Sequence, residues 1–247
     1  MINYKKLSIK LGVLLFWLAV WEILARLLNF SFIIPSASET ILTFFGLFAK
    51  TIFYKSVLLS IIRILSGYIL GLLLGLLLGF VTHKSAIIRH TASPIMNLLR
   101  STPVASFIMI LWFLLSDEMI PITIGMIMVM PIIWQSTVSG LESIPSDLLE
   151  VSAVYNFSKK KKLKILILPA LYKYLIPSVI TSSGLAWKAG IAAEIITYTS
   201  NSIGQHIKNS KDSFDGANLF AWTIAVMLLS LLIEFAIKKA LRKVKKI

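Results

Sequence analysis

From Glu150 to Pro169 the chain is polar and basic, and this stretch sits between apolar runs long enough to cross a lipid bilayer. Glu150 is followed by small residues, then Asn156, then Lys159, Lys160, Lys161 and Lys162, with Pro169 opening the next apolar run. A lysine at the centre of a spanning helix costs about 2.5–3.5 kcal/mol on insertion scales. The segment therefore belongs outside hydrocarbon, and it is long enough to hold a short helix. A membrane chain that keeps a helix outside the bilayer offers that helix to a partner.

The rest of the sequence fixes the class. Hydrophobic residues make up 57% of the chain, mean hydropathy is +0.85 and only 15% of residues are charged. A soluble domain is nearer half apolar and a quarter charged, so this is a polytopic membrane protein. The net charge of +14 could be a nucleic-acid footprint, but its placement argues against one. Lys5, Lys6 and Lys10 precede the first apolar run, and Lys84 and Arg89 fill the gap after the second. Lys159 to Lys162 and Lys164 fill the long polar segment, and Lys238, Lys239, Arg242, Lys243, Lys245 and Lys246 follow the last run. These groups fall on one side if six spans separate them, against Lys50, Lys55, Lys208 and Lys211 on the other. That is positive-inside asymmetry, and it predicts both termini in the cytoplasm and no nucleic-acid partner. The absence of cysteine excludes disulfides and thiolate metal sites. The first apolar run lacks a small-residue cleavage site and is expected to remain as a span.

The predicted fold is an all-α membrane protein with about six transmembrane helices, near 11–28, 60–81, 92–115, 119–138, 165–190 and 218–237. One domain covers 1–247, with its core about 56–237 and a cytoplasmic loop at 140–165. Between the first two spans, Ser36 and Glu39 follow Pro35 at capping-box spacing, so a short external helix is expected there rather than a seventh span. Residues 195–217 are polar and are expected to cap the external mouth. In the second span Gly67, Gly71, Gly75 and Gly79 recur every four residues and share one stripe. Such a stripe permits close helix packing, and it could also form a smooth pore wall. Pro94, Pro103, Pro121, Pro131, Pro169 and Pro177 punctuate the third to fifth spans, and each removes a backbone donor and tends to kink or start a helix.

The order Glu150-Val151-Ser152, Asn156 and Leu168-Pro169 resembles the EAA loop of importer-type ABC transporter permeases. That loop runs Glu-Ala-Ala, then glycine, then an apolar residue and proline. Here Val151 and Ser152 replace the alanines and Asn156 replaces the glycine. Asparagine is the residue after glycine that best tolerates positive φ, so the turn remains feasible. The resemblance extends to the nitrate/sulfonate/taurine/bicarbonate group. IIPSASET is similar to that group's Leu-Pro-Ser-Pro-Ser-Glu stretch. LLRSTPVASFIMILWFLLS carries its Leu-Arg, Pro and Leu-Trp-Phe pattern, and GLAWKAGIAAEII its fifth-span end with Ala193-Glu194.

The resemblance implies a type I ABC importer permease-like bundle. It implies a homodimer in a bacterial-type cell membrane, with two ABC ATPase subunits and an extracytoplasmic solute-binding protein. Glu150, Val151, Ser152, Asn156 and Pro169 then form the ATPase-coupling loop, as a helix over 150–160. The solute is expected to be small and anionic or polar: nitrate, sulfonate, taurine, bicarbonate or a vitamin precursor. ATP hydrolysis is expected in the partner subunit, with no cofactor in this chain.

Charges inside spans each carry two readings. Glu22 and Arg26 stand at i, i+4 with the acid N-terminal, as a structural pair or as a transport element. Arg63 lies near the external end of its span and is expected to snorkel. Arg100, with Pro103 beside it, lines the pathway or bonds between helices. Lys188, Gly190 and Glu194 stand at the outer end of the fifth span, and Gly190 and Glu194 share a face that can point at the central gap.

An intramembrane hydrolase would need a nucleophile and base meeting in the bilayer. His83, His90 and His206 all lie in predicted loops, and neither HExxH nor the GxxxxGK[ST] phosphate loop is present. The remaining rival is a secondary transporter working without an ATPase. Such proteins usually show internal repeats, ten or more spans and a mid-membrane acid, and six spans with no obvious repeat and one elaborate cytoplasmic loop fit that poorly.

Overall fold

The computed structural model describes residues 4–28, 30 and 33–244. Of the basic residues above, Lys245 and Lys246 lie outside these, as do the side chains of Lys5, Lys6, Arg242 and Lys243. All the regular structure among the described residues is helical. In chain order it runs α1 (Tyr4–Leu28), α2 (Ala37–Leu47), α3 (Thr51–Lys84), α4 (Ala86–Ser101), α5 (Val104–Trp112), α6 (Met119–Glu142) and α7 (Ser146–Val154). Then follow α8 (Lys159–Lys162), a π turn (Leu163–Ile167), α9 (Leu168–Thr197), α10 (Ile203–Asp212) and α11 (Gly216–Val244). Five of these runs are long and apolar enough to cross a membrane, and there are six if α4 and α5, bent by 100° at their break, are counted as one span. The passes alternate between an end carrying α7 and α8 and an end carrying α2 and α10.

The third predicted span, 92–115, is thus a broken element rather than one helix. The cause is local: Pro103 has no N–H, and its ring drives the preceding residue out of the helical region. Thr102 accordingly takes ψ 134°, and Pro103 starts the new direction of α5. Pro94, Pro131 and Pro177 lie inside continuous helices. The second predicted span begins earlier than expected, at Thr51. The fifth runs on to Thr197 and stops where Tyr198 adopts left-handed φ 57°. Pro169 begins the regular part of α9, and directly before it the Leu168 N–H reaches back to Leu163 O in the wider π register. Pro169 cannot donate to the carbonyl of Ile165, and the π turn takes up the resulting mismatch.

α3 and α6 make the central seam. A Cβ built on Gly67 would lie 2.1 Å from the Ile122 carbonyl oxygen, and one on Gly75 would lie 2.7 Å from Met130 O. On Gly71 and Gly79 it would collide with the Cβ atoms of Val129 and Thr137, at 2.7 and 2.5 Å. The glycine stripe therefore faces α6 and admits its backbone, which no larger residue allows. Trp187, Trp222, Phe53 and Ile64 close a second contact among α3, α9 and α11.

α2 is the short helix expected from Ser36, whose Oγ accepts from Glu39 N at 3.2 Å. At 11 residues it is too short to cross a bilayer, and Leu42 and Phe45 stay exposed. Glu22 pairs with Arg26 at 2.7 Å and also accepts from Ser38 N at 3.0 Å, so it ties α1 to the start of α2.

Candidate functional site

Within 140–165, α6 continues to Glu142 and the next long helical run begins at Lys159. The helix between them lies earlier than 150–160. Pro145, extended at ψ 139°, starts α7, and the helix ends at Val154. Asn156 then takes φ 47°, while Phe157 N bonds Ser152 O at 2.9 Å and Asn156 N bonds Ala153 O at 3.0 Å. This is a C-terminal cap with a left-handed residue where glycine is commonest, and Asn156 fills it at small cost. Ser158 caps α8 in turn, its Oγ accepting from Lys161 N at 3.3 Å.

On α7 the residues divide by face. Leu148, Val151, Val154 and Tyr155 form an exposed apolar crest, with Val154 76% and Tyr155 73% exposed. Glu150 stands on its flank, also exposed. Ser152 is buried and turns back, its Oγ bonded to Leu149 O at 2.7 Å. Leu149 faces a groove of about 460 Å³ shared with Leu141, Ile167 and Lys162. An apolar crest outside the spans leaves surface that a partner would bury at about 1.5–3 kcal/mol per large side chain.

A second polar centre lies at the α10 end. Glu194 is wholly buried, so it faces the chain's own interior rather than an open gap. Its carboxylate accepts from Ser60 Oγ at 2.8 Å and from Gly204 N at 3.2 Å. Ile203 N donates to Ser60 Oγ at 3.0 Å and Gln205 N to Ser202 Oγ at 2.9 Å. The free N–H groups that open α10 are thus taken up by Glu194, Ser60 and Ser202, where the helix dipole also favours the carboxylate. Gly204 is required here because a Cβ would lie 2.3 Å from the Cβ of Glu194.

Arg63 does not snorkel to solvent. It is 8% exposed and donates to Glu118 and to Ser200 O, both at 3.2 Å, with Glu194 at 4.0 Å. Here the turn before α10 and the 113–118 loop supply acceptors that no single helix shows. Beside this centre, His206 stacks on Trp222 with ring centroids 4.5 Å apart and bonds Ser56 Oγ at 2.9 Å. Burial pushes its pKa below the usual 6.5, and Lys50 adds to the effect.

The five residues expected along a pathway are not brought together. Arg100 is exposed in the last turn of α4, and Pro103 stands at the break that follows. Lys188 is exposed on α9, whereas Gly190 and Glu194 occupy the opposite, buried face. A Cβ on Gly190 would strike Ile64 at 2.5 Å. Sequence reasoning missed Ser60, Gly204 and Glu118 as partners of Glu194 and Arg63. Only the polar interruption at Ser56, Ser60 and Arg63, in an otherwise apolar run, signalled them. Among the described residues, no group of histidines and carboxylates forms a metal site.

Residues 71–246 match the family described as binding-protein-dependent transport system inner membrane component, and the chain belongs to that family. It is 24% identical over 232 residues to the putative aliphatic sulfonates transport permease protein of Bacillus subtilis, covering 93% of this chain and 83% of that one. It is 23% identical over 209 residues to a putative ABC transporter permease protein of Methanocaldococcus jannaschii, covering 82% and 78%. A nitrate import permease protein of Synechococcus elongatus is 27% identical over 142 residues, covering 57% and 50%. The fold is shared with a chain of the MetNI methionine ABC transporter solved in inward-facing conformations. There the TM-score is 0.59 and the identity 18%, with 77% of this chain and 93% of that one covered. This is a multi-pass inner membrane permease component with the fold of an ABC importer subunit.

Proposed function

We propose that the chain is the transmembrane subunit of an ATP-driven importer for a small anionic or polar solute. Two copies form the membrane dimer, two ATPase subunits bind at the α7 end, and an extracytoplasmic solute-binding protein docks at the α10 end. The α7 end, with both termini, faces the cytoplasm. ATP is hydrolysed in the partner, and its closure moves α7 and tilts the spans between inward-open and outward-open states. The relatives named for sulfonates and nitrate support the solute class. Arg100, Pro103 and Lys188 border the pathway, while Gly190 and Glu194 support it from within the bundle.

The observation that carries this reading is the α7 crest: an exposed apolar helix, flanked by Glu150 and closed by Asn156, in a gap between spans. A transporter that worked without an ATPase would have no use for it. Glu150→Lys and Val154→Asp should insert normally yet lose solute-stimulated ATPase activity in proteoliposomes holding the whole complex. Normal stimulation in both variants would remove α7 from this role.

A further inference from the structure

α4 is amphipathic to a degree that the long spanning helices are not. At 3.6 residues per turn, Arg89, His90, Ser93, Asn97, Arg100 and Ser101 fall on one stripe about a third of the circumference wide. Of these, His90, Asn97, Arg100 and Ser101 are exposed. Apart from Thr91 the rest of the helix is apolar: Ile87, Ile95 and Leu98 are exposed, and Met96 is buried with Trp134 and Val138.

The depth of Arg100 follows from its neighbours. Before the break, Met96 packs at the level of Trp134 and Val138; after it, Val104 packs against the cluster that holds Ile120, Ile124 and Met128. Arg100 therefore lies level with the stretch of α6 between Met128 and Trp134, halfway along a helix that runs from Met119 to Glu142. The nearby carboxylates are engaged elsewhere. Glu142 is paired with Arg89, and Glu118 and Glu194 face Arg63. Among the described residues Arg100 has no ion-pair partner. An unpaired guanidinium at this level of the bundle is too costly to leave in hydrocarbon, and Arg100 is exposed on this chain, which fits a face that borders water.

We infer that the polar face of α4 lines the solute pathway, and that Arg100, with Asn97 one turn away, is the station that selects small oxyanions. A guanidinium binds a planar or tetrahedral oxyanion through paired N–H donors, and the Asn97 amide adds a donor on the same face. This rests on the importer reading and assigns its specificity inside the membrane to one arginine.

The chain contains no cysteine, which permits a direct test in membrane vesicles holding the full complex. His90→Cys, Asn97→Cys and Ser101→Cys should react with water-soluble thiol reagents, and Ile95→Cys and Leu98→Cys should not. At Asn97→Cys, with rates normalised to a free thiol, a sulfonate-bearing methanethiosulfonate should outrun its trimethylammonium counterpart. Adding Arg100→Gln should lower that preference about tenfold, whereas Arg100→Lys should keep most of it. If Asn97→Cys and Ser101→Cys are as unreactive as Ile95→Cys, the stripe is covered by protein and the inference falls. It also falls if Arg100→Gln leaves the preference unchanged. ATPase stimulation in the Glu150 variant is a separate readout, so the importer reading and this inference fail independently.

Discussion

The backbone N–H of Gly204 points at the carboxylate of Glu194, 3.2 Å away, although ten residues and a reversal of chain direction separate them. The same carboxylate binds Ser60 on α3, so one acid joins three helices. Glu194→Ala should lower stability by roughly 3–5 kcal/mol, because it strips the opening of α10 and removes a counter-charge 4.0 Å from the buried Arg63. Glu194→Gln should lose less. Thermal unfolding of the detergent-solubilised protein would rank the two, and equal losses would show that the charge is immaterial.

Replacing Gly71 or Gly75 with leucine should destabilise by about 1–3 kcal/mol or more, since the new side chain meets Met126 O and Met130 O directly. Gly12 and Gly46 have open space around them, so alanine there should be nearly silent. An unchanged melting temperature for the leucine variants would mean that the α3–α6 contact is looser than described.

Asn156→Gly should be neutral or slightly stabilising, and Asn156→Val should cost about 1–2 kcal/mol, since φ 47° is left-handed. Solute-stimulated ATPase activity should survive the glycine and fall with the valine.

His206 gives the α10 end a pH dependence. Its folded pKa lies below the usual 6.5, so between that value and the lower folded one the unfolded chain binds the proton and the folded chain does not. Stability should thus be full above pH 6.5 and decline as pH falls below it. His206→Gln should flatten melting temperature against pH in this window, and an unaltered slope would assign the dependence to another group.

The sidedness of the α7 end is checked by labelling. Lys160→Cys should be protected from a membrane-impermeant maleimide in intact cells and react once they are opened. Lys211→Cys should react in both cases. Lys211 is exposed on α10, whereas Ser202 is buried as the cap of that helix. Reaction of Lys160→Cys in intact cells would invert the topology and detach α7 from any ATPase.

What the sequence made legible is what depends on one segment at a time. Apolar length located the spans, and basic gaps separated them. Asn156 stood out as a turn residue because its conformational preference is intrinsic. Pro103 was visible as a breaker, but its effect was not: whether a proline kinks a helix or turns it by 100° depends on what receives the second half. Ile120 and Ile124 of α6, against which Ile108 packs, receive α5 here. Arg63 and Glu194 were misplaced for a related reason. Each was read against its own helix, whereas their partners come from the 113–118 loop, the Ser200 carbonyl and the opening of α10.

The seam between α3 and α6 has a mechanical consequence. Carbonyl oxygens of Ile122, Met126 and Met130 occupy the hollows left by three glycines, as teeth sit in a rack. Neither helix can slide past the other without lifting out of register, so the two travel as one rigid strut. Any change of shape is left to the joints on either side of it, the Thr102–Pro103 break and the π turn at Leu163–Ile167.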